Sequence, residues 1–336
     1  MFAFPLLLAA AIPSVETAPA PRSASVSEAE VRAAIGKSLQ HLETSTAAWR
    51  KDRKCVSCHQ VPFTIWSLTE ARSRGFPVDD GRLNDLIGWA FNFCMTSEDK
   101  GQKNGGFHLA MVDMVLSQAS AASNAHALTA YPFFETLFDK KQYPDGSWHE
   151  VNQIRIAGAD REANEVDTMW TLLAIRELER LGEKLPAKTR KGLAAEREKA
   201  LALLKDARPG RRIDWLALRA QIAREFGKTE ESESLYQELR NEQNADGGWG
   251  YVRGGASYPH TTGECLYCLG SSGFTGNDSS VRRAWKFLVA NQQTDGTWWA
   301  LSRREFNTKP DKANDVTFHW GSGWATIGLL KTLPRK

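Results

Sequence analysis

A seven-residue pattern, Gln-x-x-Asp-Gly-x-Trp, occurs three times in the 336-residue chain and limits its possible folds more than any other feature. The copies begin at Gln142, Gln243 and Gln292. Each lies between two segments with helical apolar periodicity. The Asp-Gly step favours a turn because glycine accepts positive φ, while the Gln can bond exposed backbone at the helix end and the Trp can stack over the turn. The pattern therefore predicts a structural staple between successive helices, not a catalytic site.

Weaker copies at 39–49, 104–107 and 214–215 bring the total to six units, at spacings of roughly 35 to 60 residues. The apolar periodicity between the repeats gives about twelve helices, two per unit, and the sequence shows little strand signal. The predicted spans are 28–45, 61–75, 80–97, 108–121, 124–140, 164–181, 187–206, 213–227, 230–243, 261–272, 278–292 and 320–332. Ser27, Asp80 and Asp278 are the predicted helix caps. We predict an all-α fold, an (α/α)6 toroid of about six helical hairpins, with an open superhelix as the alternative because repeats alone do not prove closure.

The three strong repeats make the chain resemble the terpenoid cyclase and protein prenyltransferase superfamily. Two predicted inner-helix starts match the style of that superfamily, Asp167-Thr168-x-Trp170 and His260-Thr261-Thr262-Gly263-Glu264-Cys265. The resemblance covers about residues 28–334 and implies a single toroid domain. It also implies a central cavity whose aromatic walls hold an isoprenoid or another lipid. Squalene–hopene cyclases contain two such domains, so this chain has about half their size.

The aspartate-rich motifs of those cyclases are absent from this sequence. A class II cyclase uses an Asp in an Asp-x-Asp-Asp run as its acid, and a class I cyclase binds magnesium and diphosphate through Asp-Asp-x-x-Asp. The comparable acidic pair here is Asp79-Asp80, which precedes Gly81 and is predicted to cap a helix. The sequence therefore does not decide whether the protein is an enzyme.

The zinc site of the protein prenyltransferases is also incomplete. Those enzymes, which this chain resembles, bind zinc through an Asp, a Cys two residues later and a later His. Asp167 and His260 match two of these positions, but Met169 occupies the place of the Cys. Zinc is therefore not expected, although Cys265 or His319 could complete a different site. The candidate catalytic residues of the cavity are Asp167, His260, Glu264 and His319.

A Cys-x-x-Cys-His run at 55–59 is the attachment pattern of a c-type haem. Its two thiols add to the two vinyl groups of one porphyrin, and the adjacent His ligates the iron. The alternatives are a disulfide or half of a zinc site. We predict haem c bound covalently by Cys55 and Cys58, with His59 on the iron. The candidates for the second axial ligand are Met95, Met111, Met114, His108 and His126.

Covalent haem attachment takes place outside the bacterial cytoplasmic membrane, so an export signal should precede the motif. Residues 2–12 form an apolar run, and Ala18-Pro19-Ala20 fits a cleavage site. We predict a signal peptide at 1–20, a linker at 21–27 and a periplasmic or secreted protein. No later segment is predicted to span a membrane. The net charge of +3 gives no reason to expect nucleic acid as a partner.

Three functions are compatible with these features. The first is an exported haem protein with an electron-transfer or redox role and a redox partner protein, in which the toroid is the scaffold. The second is an isoprenoid- or lipid-binding protein, or a cyclase- or prenyltransferase-like enzyme without the usual acid motif. The third is a toroid that only binds, with a disulfide between Cys55 and Cys58.

Overall fold

The computed structural model describes residues 26–53, 55–56, 60–97, 106–119, 124–148, 158–300 and 314–334. The predicted signal peptide at 1–20 lies outside the described residues, as do Cys58 and His59 of the haem motif. Twelve α-helices and one short 3-10 turn (Gly182–Lys184), but no β-strand, lie within these ranges. The helices are α1 (Glu28–Arg53), α2 (Val61–Ser73), α3 (Asp80–Ser97), α4 (Gly106–Ser117), α5 (Ala125–Lys141), α6 (Asp160–Glu179), α7 (Ala187–Leu204), α8 (Ile213–Glu225), α9 (Thr229–Asn241), α10 (Pro259–Ser271), α11 (Ser279–Ala290) and α12 (Asn314–Thr332).

The even-numbered helices form an inner ring and the odd-numbered helices form an outer layer. Each inner helix contacts the next inner helix in the chain, and α12 contacts α2, so the ring is closed. The inner helices α2, α8 and α10 are buried on every side over 61–71, 213–223 and 259–269. The outer helices α9 and α11 bury only one face, as amphipathic helices do. The predicted all-α toroid is confirmed, and the alternative of an open superhelix is wrong.

The strong repeats are staples between helices, as predicted. In each repeat the Gln side-chain amide donates to one carbonyl in its own turn and to one in the next outer helix. For Gln243 the acceptors are the Gly247 carbonyl at 2.7 Å and the Ser280 carbonyl at 2.9 Å. The indole N–H of Trp249 donates to the Leu239 carbonyl at 2.8 Å, which ties the turn to the end of the preceding helix.

The last staple closes the ring onto the first helix. Gln292 follows α11 and donates to the Ala34 carbonyl of α1 at 2.8 Å. Beside it, the hydroxyl of Thr326 on α12 donates to the hydroxyl of Ser38 on α1 at 2.8 Å. Both bonds join residues more than 250 positions apart in the sequence, which explains why the repeats alone did not establish closure.

Two helices extend by more than one turn and a half beyond a predicted end, whereas the other ends differ by at most about one turn. The first helix continues to Arg53 and not to residue 45, and the last helix begins at Asn314 and not at residue 320. The apolar periodicity of α1 ends near residue 46, beyond which its last two turns expose most of their side chains. Periodicity reports the buried face of a helix and therefore stops where burial stops.

Two of the three predicted caps are confirmed. The Ser27 hydroxyl accepts the backbone N–H of Glu30 at 3.2 Å, and a carboxylate oxygen of Asp278 accepts that of Ser280 at 2.8 Å. The third prediction is off by one residue. Asp79, not Asp80, accepts the Arg82 backbone N–H at 3.0 Å, because α3 already begins at Asp80.

Candidate functional site

Side chains from the inner helices meet around the axis of the ring in two layers. An outer helix connects each inner helix to the next and runs antiparallel to both. The inner helices are therefore parallel to one another, and equivalent positions lie at the same level along the ring axis. One layer is made of buried charged and titratable side chains that interact with one another and is here called the acid layer: Asp113, Asp167, Arg212, Asp214, His260 and Glu264. One turn further on lies the aromatic layer: Trp66, Trp170, Tyr267 and Trp324.

Arg212 is the positive centre of the acid layer. Its Nε lies 2.9 Å from Oδ1 of Asp214, and a second nitrogen contacts Oδ2 of the same carboxylate, so the pair is bidentate. The two side chains are 2% and 9% exposed. Burial alone would lower the pKa of Arg212, but Asp214, Glu264 and Asp167 raise it above its usual value. Arg212 and Asp214 therefore form a buried, bidentate ion pair.

The pKa values of Glu264, Asp113 and His260 in the acid layer are shifted toward the neutral form. Burial, reinforced by Asp214, raises the pKa of Glu264 well above its usual value although Arg212 opposes the shift. Burial also raises the pKa of Asp113 well above its usual value. His260, whose Nδ1 lies 3.5 Å from Oε2 of Glu264, has its pKa lowered to about 3 by burial and by Arg212. Burial therefore favours the protonated form of the Glu264 and Asp113 carboxyl groups, and a protonated carboxyl can donate a hydrogen bond.

The aromatic layer lies directly against the acid layer. The ring centroids of Trp170 and Trp324 are 5.1 Å apart, and those of Trp66 and Tyr267 are 5.2 Å apart. The rings come from α2, α6, α10 and α12, so they meet across the axis. The ring of His260 lies 4.1 Å from that of Trp320 on α12 and thereby joins the two layers. Ring faces presented to one another and to the axis could stabilise a cation.

A polar cavity of about 610 Å³ opens at the C-terminal ends of the inner helices. Tyr267 of the aromatic layer reaches its wall, together with Glu177, Arg180 and Lys331. The Lys331 ammonium lies 2.5 Å from the buried carboxylate of Glu70. Burial raises the pKa of Glu177, although Arg180 opposes the shift. This end of the axis therefore carries mixed charges in a setting that is more exposed than the acid layer.

A second cavity, here called the motif cavity, lies beside the described part of the haem motif. It has a volume of about 480 Å³, and its lining includes His41, Ser45, Trp49, Gln60, Asp295 and Phe318. The Trp49 indole N–H donates to the Cys55 carbonyl at 2.9 Å. Cys55 is a free and partly exposed thiol, whereas Gln60, the residue after the motif, is buried. The start of the motif is thus fixed to the wall of this cavity.

The structure brings together three of the four cavity candidates from the sequence. Asp167, His260 and Glu264 belong to the acid layer, but the imidazole of His319 turns toward α1 and α2. Its Nε2 is 2.9 Å from the Gln60 carbonyl oxygen, and its Nδ1 is 3.0 Å from the side-chain nitrogen of Gln60. The same Nε2 also lies 3.1 Å from the hydroxyl oxygen of Thr64. His319 thus holds Gln60, the residue that follows the predicted haem motif, and Thr64 on α2.

The predicted axial candidates lie in different surroundings. Met111 and Met114 are 1% and 0% exposed and pack in the core, whereas Met95 is partly buried on α3. His126 is exposed at the start of α5, at the end of the ring opposite to Cys55, which precedes α2. A helix of 17 residues such as α5 separates the two ends by about 25 Å. The side chain of His108 lies outside the described residues.

Sequence reasoning did not identify Asp113, Arg212 and Asp214 as members of the site. Asp113 stands inside the apolar run Met111-Val112-Asp113-Met114-Val115, and a carboxyl group within such a run indicates a buried acid. Arg212 and Asp214 are two positions apart at the start of α8, and only their burial distinguishes them from ordinary surface charges. That burial depends on the closed ring.

No family model matches the chain. A probable squalene–hopene cyclase from Sinorhizobium fredii (strain NBRC 101917 / NGR234) is 33% identical over 94 residues. Those residues make up 27% of this chain and 14% of that protein, so the chain matches only a small part of the cyclase. The similarity supports a squalene cyclase-like repeat.

Solved structures resemble this protein over nearly its whole length. A polysaccharide lyase superposes with a TM-score of 0.57 at 12% identity, covering 90% of this chain and 96% of the lyase. A possible member of the GH105 family from Klebsiella pneumoniae subsp. pneumoniae MGH 78578 superposes with a TM-score of 0.56 at 12% identity, covering 96% and 98% of the two chains. The fold is an α/α toroid. At such low identity the likeness concerns the fold alone.

Within the described residues, no His, Cys, Asp and Glu side chains form a group of three that could hold a metal ion. Among the same residues, no helix combines the length and the apolar character needed to cross a membrane.

Proposed function

We propose that this protein binds haem c covalently through Cys55, Cys58 and His59 and has an electron-transfer or redox role. The single observation that carries the proposal is that described residues before and after the Cys-x-x-Cys-His run line the motif cavity. The described residues on both sides of the run, Trp49 and Gln60, line that cavity. Its volume of about 480 Å³ lies within the range of ligand pockets, roughly 300–1,000 Å³.

The lining of the motif cavity fits a porphyrin in its chemistry. Trp49 and Phe318 offer aromatic surface to the macrocycle, and the guanidinium of Arg53 is available to pair with a propionate. The thiol of Cys55 is partly exposed, as a group that must react with a vinyl carbon has to be. When bound, haem supplies one-electron chemistry, and the protein's contribution is to hold the macrocycle and restrict water.

The proposal includes a compartment and a partner. Covalent haem attachment outside the cytoplasmic membrane agrees with the predicted signal peptide at 1–20, so we propose a periplasmic or secreted protein. A haem with this role exchanges electrons with a redox partner protein.

The test is a pyridine haemochrome spectrum of the denatured protein after export together with the cytochrome c maturation machinery. We expect a covalent haem band in the wild type and its loss in the Cys55→Ala/Cys58→Ala variant. Cys265→Ala/Cys268→Ala is the matched control, because Cys265 and Cys268 have the same spacing but are buried in α10. An exported wild type without the band would refute the proposal, and so would a band that survives in the first variant.

A second candidate function is favoured by the acid layer. Burial raises the pKa of Glu264 well above its usual value, and Glu264 lies next to His260, whose ring packs against that of Trp320. Aromatic rings can stabilise a carbocation. This arrangement suits a general acid acting on an isoprenoid or another lipid in the axis, and the similarity to a squalene–hopene cyclase points in the same direction. Such an enzyme would work without the usual Asp-x-Asp-Asp run.

For this candidate we expect Glu264→Gln or Asp167→Asn to abolish turnover of an isoprenoid substrate while the fold is kept. Glu177→Gln, at the other end of the axis, is the control and should retain turnover. Unchanged turnover in Glu264→Gln would rule out the acid role of this residue.

A further inference from the structure

We propose that the polar cavity at the C-terminal ends of the inner helices binds a neutral, polyhydroxylated ligand such as a mono- or disaccharide. All six inner helices, or the first residues after them, contribute to its lining, so the cavity lies on the ring axis. Its volume of about 610 Å³ falls within the range of ligand pockets, roughly 300–1,000 Å³. The motif cavity lies at the N-terminal ends of the same helices, so the two sites are separate.

The charged side chains around this cavity are paired with one another. Arg180, which follows α6, forms ion pairs with Glu177 on α6 and with Glu225 on α8, through a different nitrogen for each. Lys331 on α12 lies 2.5 Å from the carboxylate of Glu70 on α2, which is 2% exposed. The charges are therefore held by the protein itself and do not require a charged ligand.

The sum of these charges also favours an uncharged ligand. Arg74, a third cation of the lining, donates to the carbonyls of Lys331 and Leu333 at the end of α12, where the helix dipole favours a positive charge. When Glu70 is included as the partner of Lys331, the described lining contains three cations and three carboxylates. A charged ligand would have to break one of the pairs or stay without a counter-charge, and both are unfavourable in a partly buried site.

Two polar side chains of the cavity wall lack a partner inside the described part of the protein. Gln221 lines the cavity from α8 and is 4% exposed, and its Oε1 accepts no hydrogen bond from these residues. Ser271 lines the cavity from α10, and its buried hydroxyl has no partner among them either. Such groups are unfavourable unless a ligand or water satisfies them. The Gln221 oxygen requires a donor, and a ligand hydroxyl group supplies one.

Hydroxyl groups can bind to the paired charges as well. A guanidinium and an ionised carboxylate each offer more hydrogen-bonding sites than one partner occupies. Donors of Arg180 and acceptors of Glu225 therefore lie side by side on the wall, an arrangement that neighbouring hydroxyl groups of a sugar match. Tyr267 and Leu333 add apolar surface for the ring carbons. An isoprenoid, in contrast, would leave the polar groups of the wall without water or a partner.

The test measures binding to the full exported chain by isothermal titration calorimetry. The neutral probes are glucose, galactose, N-acetylglucosamine, maltose and cellobiose, the charged analogues are glucuronate and glucosamine, and farnesol is the apolar probe. We expect at least one neutral sugar to bind, with an affinity that changes little between low and high salt, because salt screens interactions between charges and the ligand has none.

The variants are Ser271→Ala and Gln221→Met, with Ser234→Ala and Gln237→Met as matched controls on the exposed face of the outer helix α9. Each of the first two variants should weaken the affinity for the bound sugar about 3- to 10-fold, the value of one hydrogen bond. The controls should bind as the wild type does. The urea midpoint of Ser271→Ala should not fall, since the variant removes a buried group that has no partner within the described residues.

Three results would overturn the inference. The first is that none of the five neutral sugars binds, and the second is that only a charged or apolar probe binds. The third is that Ser271→Ala and Gln221→Met bind the sugar as tightly as their controls do. A weaker affinity in both variants, with an unchanged urea midpoint for Ser271→Ala, would support a ligand contact, because a merely structural role would lower the midpoint.

Discussion

Arg212 determines the electrostatics of the axis because it is the one cation of the acid layer, as far as the described residues extend. It forms a bidentate ion pair with Asp214, whereas burial raises the pKa of Glu264 and of Asp113 well above the usual values. One layer thus contains an ion pair and two buried carboxyl groups whose pKa is raised.

Replacing Arg212 by methionine should destabilise the protein by about 3–5 kcal/mol, because Asp214 would remain as a buried charge without its cation. The double variant Arg212→Met/Asp214→Leu should recover most of that loss, since it removes both charges. Urea denaturation of the two variants and the wild type measures the difference. If the double variant is as unstable as Arg212→Met, the unpaired charge of Asp214 is not the cause of the loss, and the prediction is contradicted.

Glu196 on α7 gives the stability a dependence on pH. Its side chain is buried, and within the described part of the chain neither carboxyl oxygen has a hydrogen-bond partner. Burial, reinforced by Glu135 and Asp139, raises the pKa of Glu196 from 4.5 to about 8. Between pH 4.5 and about 8 the unfolded chain loses the proton of Glu196 while the folded chain keeps it. The free energy of unfolding is therefore unaffected by this group below pH 4.5 and decreases as the pH rises to about 8.

Glu196→Gln should remove this decline, because glutamine has the shape of the protonated acid and does not titrate. We expect a gain on the order of a few kcal/mol at pH 8 and little change at pH 4.5. Urea midpoints between these pH values provide the measurement, with the exposed Glu198→Gln as control. Parallel pH profiles for wild type and Glu196→Gln would contradict the prediction.

At the scale of the helix and its turn, the repeat sequence predicted what the structure shows. The Gln-x-x-Asp-Gly-x-Trp copies located three staples, and the helices around them agree with the predicted spans apart from a few ends. The pattern succeeds because each staple is local: the Trp249 indole bonds to a carbonyl ten positions earlier. In the last turns of α1 no apolar face is present, and there the apolar periodicity does not predict the end of the helix.

The glycine of the staple should tolerate no side chain. Gly247 has φ +94°, and a Cβ there would lie 2.3 Å from the Arg283 carbonyl oxygen. Gly227 has φ +75°, but a Cβ added there would have no atom within 4 Å. Its substitution therefore measures the cost of the backbone conformation alone, without a steric clash. We expect Gly227→Ala to cost about 1–2 kcal/mol and Gly247→Ala clearly more, as measured by urea denaturation. Equal losses would mean that the turn can move away from α11.

At the scale of the whole molecule, the sequence indicated a toroid but neither its closure nor the composition of its axis. Closure depends on pairs such as Gln292 with Ala34, and the acid layer depends on Arg212 lying near Asp167 and Glu264. These residues come from different repeats, and the local periodicity of a single sequence does not show which of them meet across a ring. The motif cavity was hidden for the same reason, since α1, α12 and the turn of the last repeat all contribute to it.

Ring closure predicts that the staples act on different helices. Gln292→Ala should accelerate amide hydrogen exchange in α1, because it removes the bond to the Ala34 carbonyl. Gln243→Ala is the matched variant and should accelerate exchange in α11, where Gln243 bonds to the Ser280 carbonyl. Hydrogen exchange read by mass spectrometry resolves the two helices. Unchanged protection of α1 in Gln292→Ala would show that this staple does not hold the ring closed.

The measurement that most directly tests the central claim is the mass of one peptide. Trypsin cleaves after Lys54 and Arg72, so the fragment between them contains Cys55, Cys58 and His59 and no other cysteine or histidine. After export with the maturation machinery, we predict that this peptide carries the mass of one haem. The peptide at its unmodified mass, or lighter by two hydrogen atoms as for a Cys55–Cys58 disulfide, would contradict the claim.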